Sequence, residues 1–458
     1  MRCGIDFLRV LLFTAGWGLA FQSEIALAQT SIEREIITMR KVFPVAQYSL
    51  ETGSNAVPLG FAARFAAGGY IDPQKMESYH SKLSENNRLG FHQKTMISLS
   101  PFLGIEKSLP QKPGFFGLRY VTETMSGAQF SKDAFGLLMR GNTPFLGSEV
   151  KPGNNQIWSL SQRKLELHFN SVNKKQSYLW KVGLTQVVNY NHIRTKDLRL
   201  FSSSAGDSVV FDGNLYNQST GRQPFGTGWG MQGGFTLFKN FVPSNGKVWV
   251  TRLDVDGFGF VSVNGIKNIS RGAQWDPNSL KPLNWTPTNE VTLGAVNLNY
   301  SDLRAGDWID RQRDSVEAKL NFQEFQQRGT FLSPFFANIQ VSRLYYKSNK
   351  LNFKQLISNV SYRHIIGYKP KVEIGGIFEV YKKLDVITSV SVGGFDVFDV
   401  NLRAMYSYYI DVQLWGIESF VNPSKWHGGG ISIMVKYPFR QPTKVNRSAN
   451  QIDLPQTL

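Results

Sequence analysis

Apolar and polar residues alternate along much of this chain with a period of two. From Ser177 to Tyr190, one face of an extended strand carries Tyr178, Trp180, Val182 and Leu184, and the other Ser177, Lys181, Gly183 and Thr185. Between Asp396 and Ile410, Phe398, Val400, Leu402, Ala404 and Tyr406 oppose Asp399, Asn401, Arg403 and Met405. Lys371 to Lys382, Val316 to Gln323, Lys164 to Asn170 and Gly430 to Phe439 repeat the pattern. Period two sends successive side chains to opposite faces of a sheet. The runs are longer than the usual globular strand of about five or six residues. They suit tilted membrane-crossing strands of about 9–11 residues.

Candidate strands fall near 96–106, 114–124, 163–172, 177–193, 197–212, 229–241, 247–263, 290–300, 315–325, 331–346, 353–364, 371–382, 385–393, 397–410, 411–418 and 428–439. Some of these are loop ribbons or halves of one strand. The reading is an all-β, transmembrane antiparallel β-barrel of about 14 strands, within a range of about 12–16. Aromatics gather near strand ends (Tyr178, Trp180, Tyr406, Trp415, Trp426, Tyr437), where interfacial girdles belong. Tight connections are read at Tyr381–Leu384 and Gly393–Asp396, and long polar ones at 202–229 and 265–290. No blade-like repeat supports a propeller. A soluble sandwich would need shorter strands and closer turns.

The regions outside the pattern divide the chain. Arg2 and Arg9, the apolar stretch Val10–Phe21 and Ala26-Leu27-Ala28 read as a signal peptide over 1–28, cleaved before Gln29. The stretch is too short for a membrane helix of about 20 residues. Residues 29–95 form an N-terminal segment read as a hatch, 96–439 the barrel, and 440–458 a polar tail in the periplasm. Asp72-Pro73 signals a short helix over Gln74–Glu85, and a second is expected over Ser131–Arg140. Both are expected to plug the lumen or sit on its periplasmic mouth.

Composition fits an exported barrel. Of 458 residues, 41% are hydrophobic and 19% charged, with Gly 42 and aromatics 13%, which excludes a disordered chain. The one cysteine, Cys3, lies in the leader, so no disulfide framework exists. The net charge is +17, and basic residues recur at Lys107, Lys112 and Arg119, at Lys174-Lys175, at Arg194, Lys196 and Arg199, at Lys347, Lys350 and Lys354, and at Arg363, Lys369 and Lys371. Outer-membrane lipids, lipopolysaccharide phosphates among them, are the expected partners of such a rim. Other envelope proteins are a further candidate partner. Nucleic acid is not, since no motif for it occurs.

The Leu137–Gly147 stretch, Val255-Asp256-Gly257-Phe258-Gly259-Phe260, and Gly428-Gly429-Gly430 opening a run to Tyr437-Pro438-Phe439 together resemble an uncharacterised outer-membrane β-barrel family of Gram-negative bacteria. That family is similar in architecture to the long-chain fatty-acid transporter family, barrels of 14 strands with an N-terminal hatch. The resemblance implies transport of small hydrophobic molecules and carries over no functional residue.

The candidate lumen-lining residues are those opposite the apolar faces: Lys164, Glu166, His168, Lys181, Glu317, Lys319, Lys371, Glu373, Glu379, Asp399, Arg403 and Lys436. Mixed signs there suit a salt-bridged, narrow interior better than an open one. Asp254 and Asp256 share a face with Arg252, which favours an ion pair over a Ca²⁺ site. No nucleophile motif accompanies His168 or His192, and no two histidines stand at metal spacing. The chain therefore reads as a non-enzymatic outer-membrane channel or transport protein without cofactor. The alternatives are an accessory barrel that binds secretion or assembly proteins and, further off, a lipid-modifying barrel enzyme.

Overall fold

In the computed structural model, the described residues are 43–58, 61, 73–104, 114–141, 143–172, 176–202, 204, 209–220, 226–241, 249–271, 283–285, 290–291, 322–348, 353–381, 384–406, 409–417 and 427–437. Residues 1–42, with the expected leader, and the tail after 437 lie outside them, as do Glu317, Lys319, residues 315–321 of the candidate strand 315–325 and residues 292–300 of the candidate strand 290–300. The strands are β1 (Phe43–Ser54), β2 (Asn87–Gly104), β3 (Gly114–Phe130), β4 (Glu149–Val172), β5 (Gln176–Ser202), β6 (Val209–Ser219), β7 (Gly228–Phe241), β8 (Trp249–Arg271), β9 (Leu283–Trp285) and β10 (Glu290–Val291). They continue as β11 (Phe322–Leu332), β12 (Phe336–Ser348), β13 (Phe353–Arg363), β14 (Lys369–Tyr381), β15 (Leu384–Gly394), β16 (Phe398–Tyr406), β17 (Ile410–Trp415) and β18 (Gly428–Lys436). The helices are α1 (Pro73–Lys82) and α2 (Lys132–Arg140). Neither is long and apolar enough to cross a membrane.

The wall is a closed antiparallel barrel of 14 strands. Each strand pairs with its neighbour, and β1 closes the circuit against β18 from Val45↔Lys436 to Gly53↔Gly428. Two columns are each built from two segments. The lower half of β5 pairs with β7 and the upper half with β6. Likewise, β8 pairs with β12 below and with β11 above. The second column breaks at Ser333-Pro334-Phe335, where Pro334 has no N–H to give the ladder. Across from it Gly257 takes φ +78°, a bulge conformation open to glycine.

One face of this sheet is apolar and the other polar, with burial reversed from that of a soluble protein. Leu165, Leu167, Trp180, Val182, Leu184, Met231, Phe258, Phe260, Ile339, Val372, Ile374 and Val390 are exposed. Gln162, Lys164, Glu166, Thr185, Asn338, Gln340, Asn359, Glu373, Asn401 and Gln413 are buried. An apolar surface that encircles the molecule has no soluble explanation at this size. It is the surface a transmembrane barrel presents to lipid.

The boundary of that surface is sharp. Ile97, Tyr120, Leu165, Leu184, Met231, Phe260 and Leu332 are register partners along one row. Two residues further along each strand the row becomes Thr95, Thr122, Arg163, Gln186, Trp229, Ser262 and Thr330. This change from apolar to polar, over about 6–7 Å, marks where hydrocarbon gives way to headgroups.

The two ends of the barrel differ. At one end the connections are 105–113, 173–175, 242–248, 349–352, 382–383 and 407–409. At the other they include 55–86, 131–148, 272–321 and 416–427. Short turns face the periplasm and long loops the exterior in outer-membrane barrels. The Gly393–Asp396 connection, read beside Tyr381–Leu384 as a short turn, lies at the loop end, because β15 runs from one end to the other between them.

Three expectations need correction. The barrel begins at Phe43 rather than at 96, so 43–54 is wall and not hatch. Pro44 and the small residues of β1 mask, in the sequence, an alternation in which Gln47, Ser49 and Glu51 are buried. The first helix stops at Lys82, short of Glu85, because Ser84 and Asn87 exchange hydrogen bonds in a turn (Ser84 N to Asn87 Oδ1, 3.0 Å; Asn87 Nδ2 to Ser84 O, 2.6 Å). Finally, both helices stand at the loop end, not at the periplasmic mouth. Ser131 caps α2 by accepting from Ala134 N at 3.0 Å. Phe61, Leu83, Phe135, Ala56 and Val57 form a small core beneath the pair, and Arg140 bridges to Glu77 at 3.0 Å.

Candidate functional site

The lumen is the candidate site, and its chemistry changes with depth. Its middle is a network of charges projected inward by alternate residues of β1, β2, β3, β4, β5, β8, β13 and β14. Asp256 stands at the centre, with Lys94 at 3.4 Å and Arg119 and Lys181 each at 3.3 Å. Arg119 also pairs with Glu166. Glu123 accepts from Lys164 at 2.7 Å and from Gln162 at 3.0 Å, and lies 2.8 Å from His92 Nε2. Arg363 pairs with Glu51. Around the wall, Lys371 meets Asp399 at 2.7 Å, and Arg403 grips Asp411 through Nε at 2.8 Å and Nη2 at 2.5 Å. Glu373 receives hydrogen bonds from Ser389, Asn359 and Asn401. Arg252 pairs with Asp254 at 2.5 Å.

Charges in such a setting are stabilised only as pairs, because each would otherwise carry the full cost of leaving water. The network therefore fills the lumen. A cavity of about 30 Å³ remains, between His92, Lys94, Glu123, Lys164 and Asp256 on one side and Met125, Phe335, Phe336 and Ile365 on the other. That is room for about two water molecules.

Above the charges lies an apolar layer. Met125, Trp158, Leu160, Val187, Tyr190, Val261, Val263 and Ile266 from the wall surround Ile365, Tyr368 and Phe395. The last three come from two loop-end turns, 364–368 and 395–397, that fold back into the barrel. Glycines in the wall make their seat. A Cβ on Gly90 would fall inside the ring of Phe395, and one on Gly127 would meet the carbonyl of Ile366. Tyr368 and Phe395 then meet edge to face at 5.0 Å between ring centres. Arg88 holds the second turn through the carbonyls of Phe395 and Asp396.

Among the residues singled out from sequence, Lys164, Glu166, His168, Lys181, Lys371, Glu373, Asp399 and Arg403 point into the lumen and are buried or nearly so. Glu379 shares their face near the turn end, half-exposed, and pairs with Lys354 at 3.2 Å. Lys436 ends β18 half-buried, opposite Val45. His168 lies against Gly117, where a side chain would have no room. Arg119, Arg363 and Lys371, counted above with the basic rim, are lumen residues instead. His92, Lys94 and Glu51 precede the first strand that the sequence suggests, at 96, and Glu123 stands at the end of the run 114–124, so none of the four stands out among the inward-facing charges. The alternation His92, Lys94, Met96 against Phe91, Thr95, Ile97 was the available signal. Among the described residues no group of three His, Cys, Asp or Glu could hold a metal.

No family model matches the sequence, and no curated protein matches it. Among solved structures, it overlaps a Pseudomonas aeruginosa FadL homologue at 10% identity, over 87% of this chain and 90% of that one, with a TM-score of 0.38. The Pseudomonas putida toluene transporter TodX gives 10%, 91%, 94% and 0.33. The transport unit of the Escherichia coli autotransporter AIDA-I gives 7%, 94%, 97% and 0.29. Superpositions this loose carry no functional argument. The chain's own strand pairing and reversed burial define it as an outer-membrane-type transmembrane β-barrel.

Proposed function

We propose that this chain is a gated outer-membrane channel for small, largely apolar molecules, drawn here in its closed form. The observation behind this reading is the layer that closes the lumen. It is built from two turns, 364–368 and 395–397, and a turn can leave without breaking the wall's ladder. Its lining is apolar, so an apolar solute loses little on entering it. The amphipathic cavity beneath would be the next station. Export by removal of residues 1–28 completes the reading, and membrane-extracted protein should begin at Gln29.

Flux into proteoliposomes tests it. Uptake of a small aromatic probe by the purified barrel should be slow and should rise when Arg88→Ala frees the second turn. Equal uptake by empty liposomes, wild type and variant would sink the channel. The ion-paired lumen supports a second reading, an accessory barrel that passes nothing and binds envelope proteins through its loops. Under that reading a partner co-purifies from gently solubilised membranes while flux stays at the empty-liposome level.

A further inference from the structure

Two arginines of unusual standing lie just above the lipid-facing belt, Arg163 in the first polar row and Arg328 two residues beyond that row's Thr330, at the bulge between Gln327 and Gly329. Arg163 on β4 and Arg328 on β11 are exposed on the outer surface. Arg119, Arg252, Arg363 and Arg403, whose side chains turn inward, each meet a carboxylate. Neither Arg163 nor Arg328 has one among the described residues, and Arg328 Nε donates instead to the hydroxyl of Ser262 at 2.8 Å. The register places Arg163, Gln186, Trp229 and Ser262 side by side on four adjacent strands. Adjacent strands lie about 4.8 Å apart, so about 14 Å separates the Arg163 and Ser262 positions. Trp229, exposed between them, is the ring expected at headgroup level.

We propose that this row, together with Arg328 beside it, is a binding site for outer-leaflet lipopolysaccharide. Its glucosamine disaccharide carries a phosphate at each end, and the two guanidiniums would take one phosphate each. Guanidinium forks match phosphate oxygens bidentately. Gln186 and Ser262 offer hydrogen-bonding groups between them, and the acyl chains would lie along Leu165, Leu184 and Met231 directly below. The row belongs to the loop end, so it faces the leaflet that holds this lipid. This goes beyond the channel reading and needs only the outer-membrane orientation. Its test involves no flux, so either can fail alone.

The full barrel in detergent is titrated with lipopolysaccharide, with dephosphorylated lipopolysaccharide, with phosphatidylglycerol and with inorganic phosphate. Binding is read by native mass spectrometry and by the rise in unfolding temperature. Lipopolysaccharide should bind one per barrel at this row and raise the unfolding temperature, and the other three should not. The double variant Arg163→Gln, Arg328→Gln should lose at least about tenfold in affinity. Its folding is checked by heat-modifiable migration on a gel, and Arg163→Lys with Arg328→Lys should recover part of the affinity if the wall tolerates the pair poorly as glutamines. Unchanged affinity in the folded double variant overturns the site. Equal binding of the dephosphorylated lipid or of phosphatidylglycerol overturns the assignment to lipopolysaccharide phosphates.

Discussion

Arg88, at the start of β2, donates through Nε to the carbonyl of Phe395 at 3.0 Å and through Nη2 to that of Asp396 at 2.7 Å. The two partners are 307 residues apart in the chain. This contact ties a loop-end turn to the wall from inside the barrel, and it is buried. Hydrogen bonds from a charged donor contribute about 1.5–3 kcal/mol each. Arg88→Ala should therefore leave the barrel folded and free the turn. A cysteine placed at Phe395 should react slowly with an impermeant maleimide in the otherwise wild-type chain, and quickly once Arg88 is gone. Equal labelling in both backgrounds would show that the arginine is no latch.

Gly90→Ala offers the same displacement by steric means. The added methyl would overlap the Phe395 ring, which must leave its seat or distort the wall. The cost should be about 1–3 kcal/mol, with a raised single-channel conductance in planar bilayers. Combining Gly90→Ala with Phe395→Ala should recover much of the stability, because the overlap disappears. Strict additivity of the two changes would separate Gly90 from the turn.

Asp256→Asn tests the centre of the charge network. It would leave Lys94, Arg119 and Lys181 facing one another without their shared anion. Removing one member of a buried ion pair costs about 3–5 kcal/mol. The folded band on a heat-modifiable gel should be lost at a clearly lower temperature than in wild type. Glu379→Gln, at the half-exposed Lys354 pair, should change it little, since such pairs contribute about 0–1 kcal/mol.

The helical cap carries its own pH dependence. His80 of α1 faces Gly136 of α2, and its Nε2 is shut off from solvent with no hydrogen-bond partner among the described residues. Burial, then the nearby Arg140 and Lys132, hold its pKa below the ordinary value against the opposing pull of Glu77 and Asp133. The neutral ring is thus the native form. The stability this contributes is complete above the unfolded pKa of about 6.5 and is lost as pH falls toward the depressed native value. Amide exchange of 73–82 should speed up between about pH 7.5 and about pH 5. His80→Gln should flatten that change, and an identical change in the variant would assign it to another group.

The wall was legible in the sequence because lipid on one side and packed polar groups on the other enforce a period of two. Trp180, Val182 and Leu184 against Lys181 and Thr185 state it without ambiguity, and the closed circuit has 14 strands, within the range of about 12–16 that such runs suggest. Length was less legible. Strand β5 continues to Ser202 as one element, because its upper half changes partner rather than direction. The lumen's closure was hidden for a different reason. Ile365-Ile366 lies just past the candidate strand 353–364 as a short apolar pair, and only tertiary geometry reveals that it turns inward onto Gly127. Arg119 and Arg363 belong to the lumen and not to the rim, because a lone basic residue in or at the end of a strand looks the same in sequence whichever way the strand's pleat directs it.

The broken column of β11 and β12 has a consequence for how freely this molecule could change. Residues 272–321 enter above the break, and among the described residues their strands, β9 and β10, pair with β6. The fourteen staves of the wall are joined to one another without them. That excursion is accordingly the place where a foreign epitope or a whole domain could be spliced in, turning the barrel into a display platform on the cell surface while its hoop of hydrogen bonds stays intact.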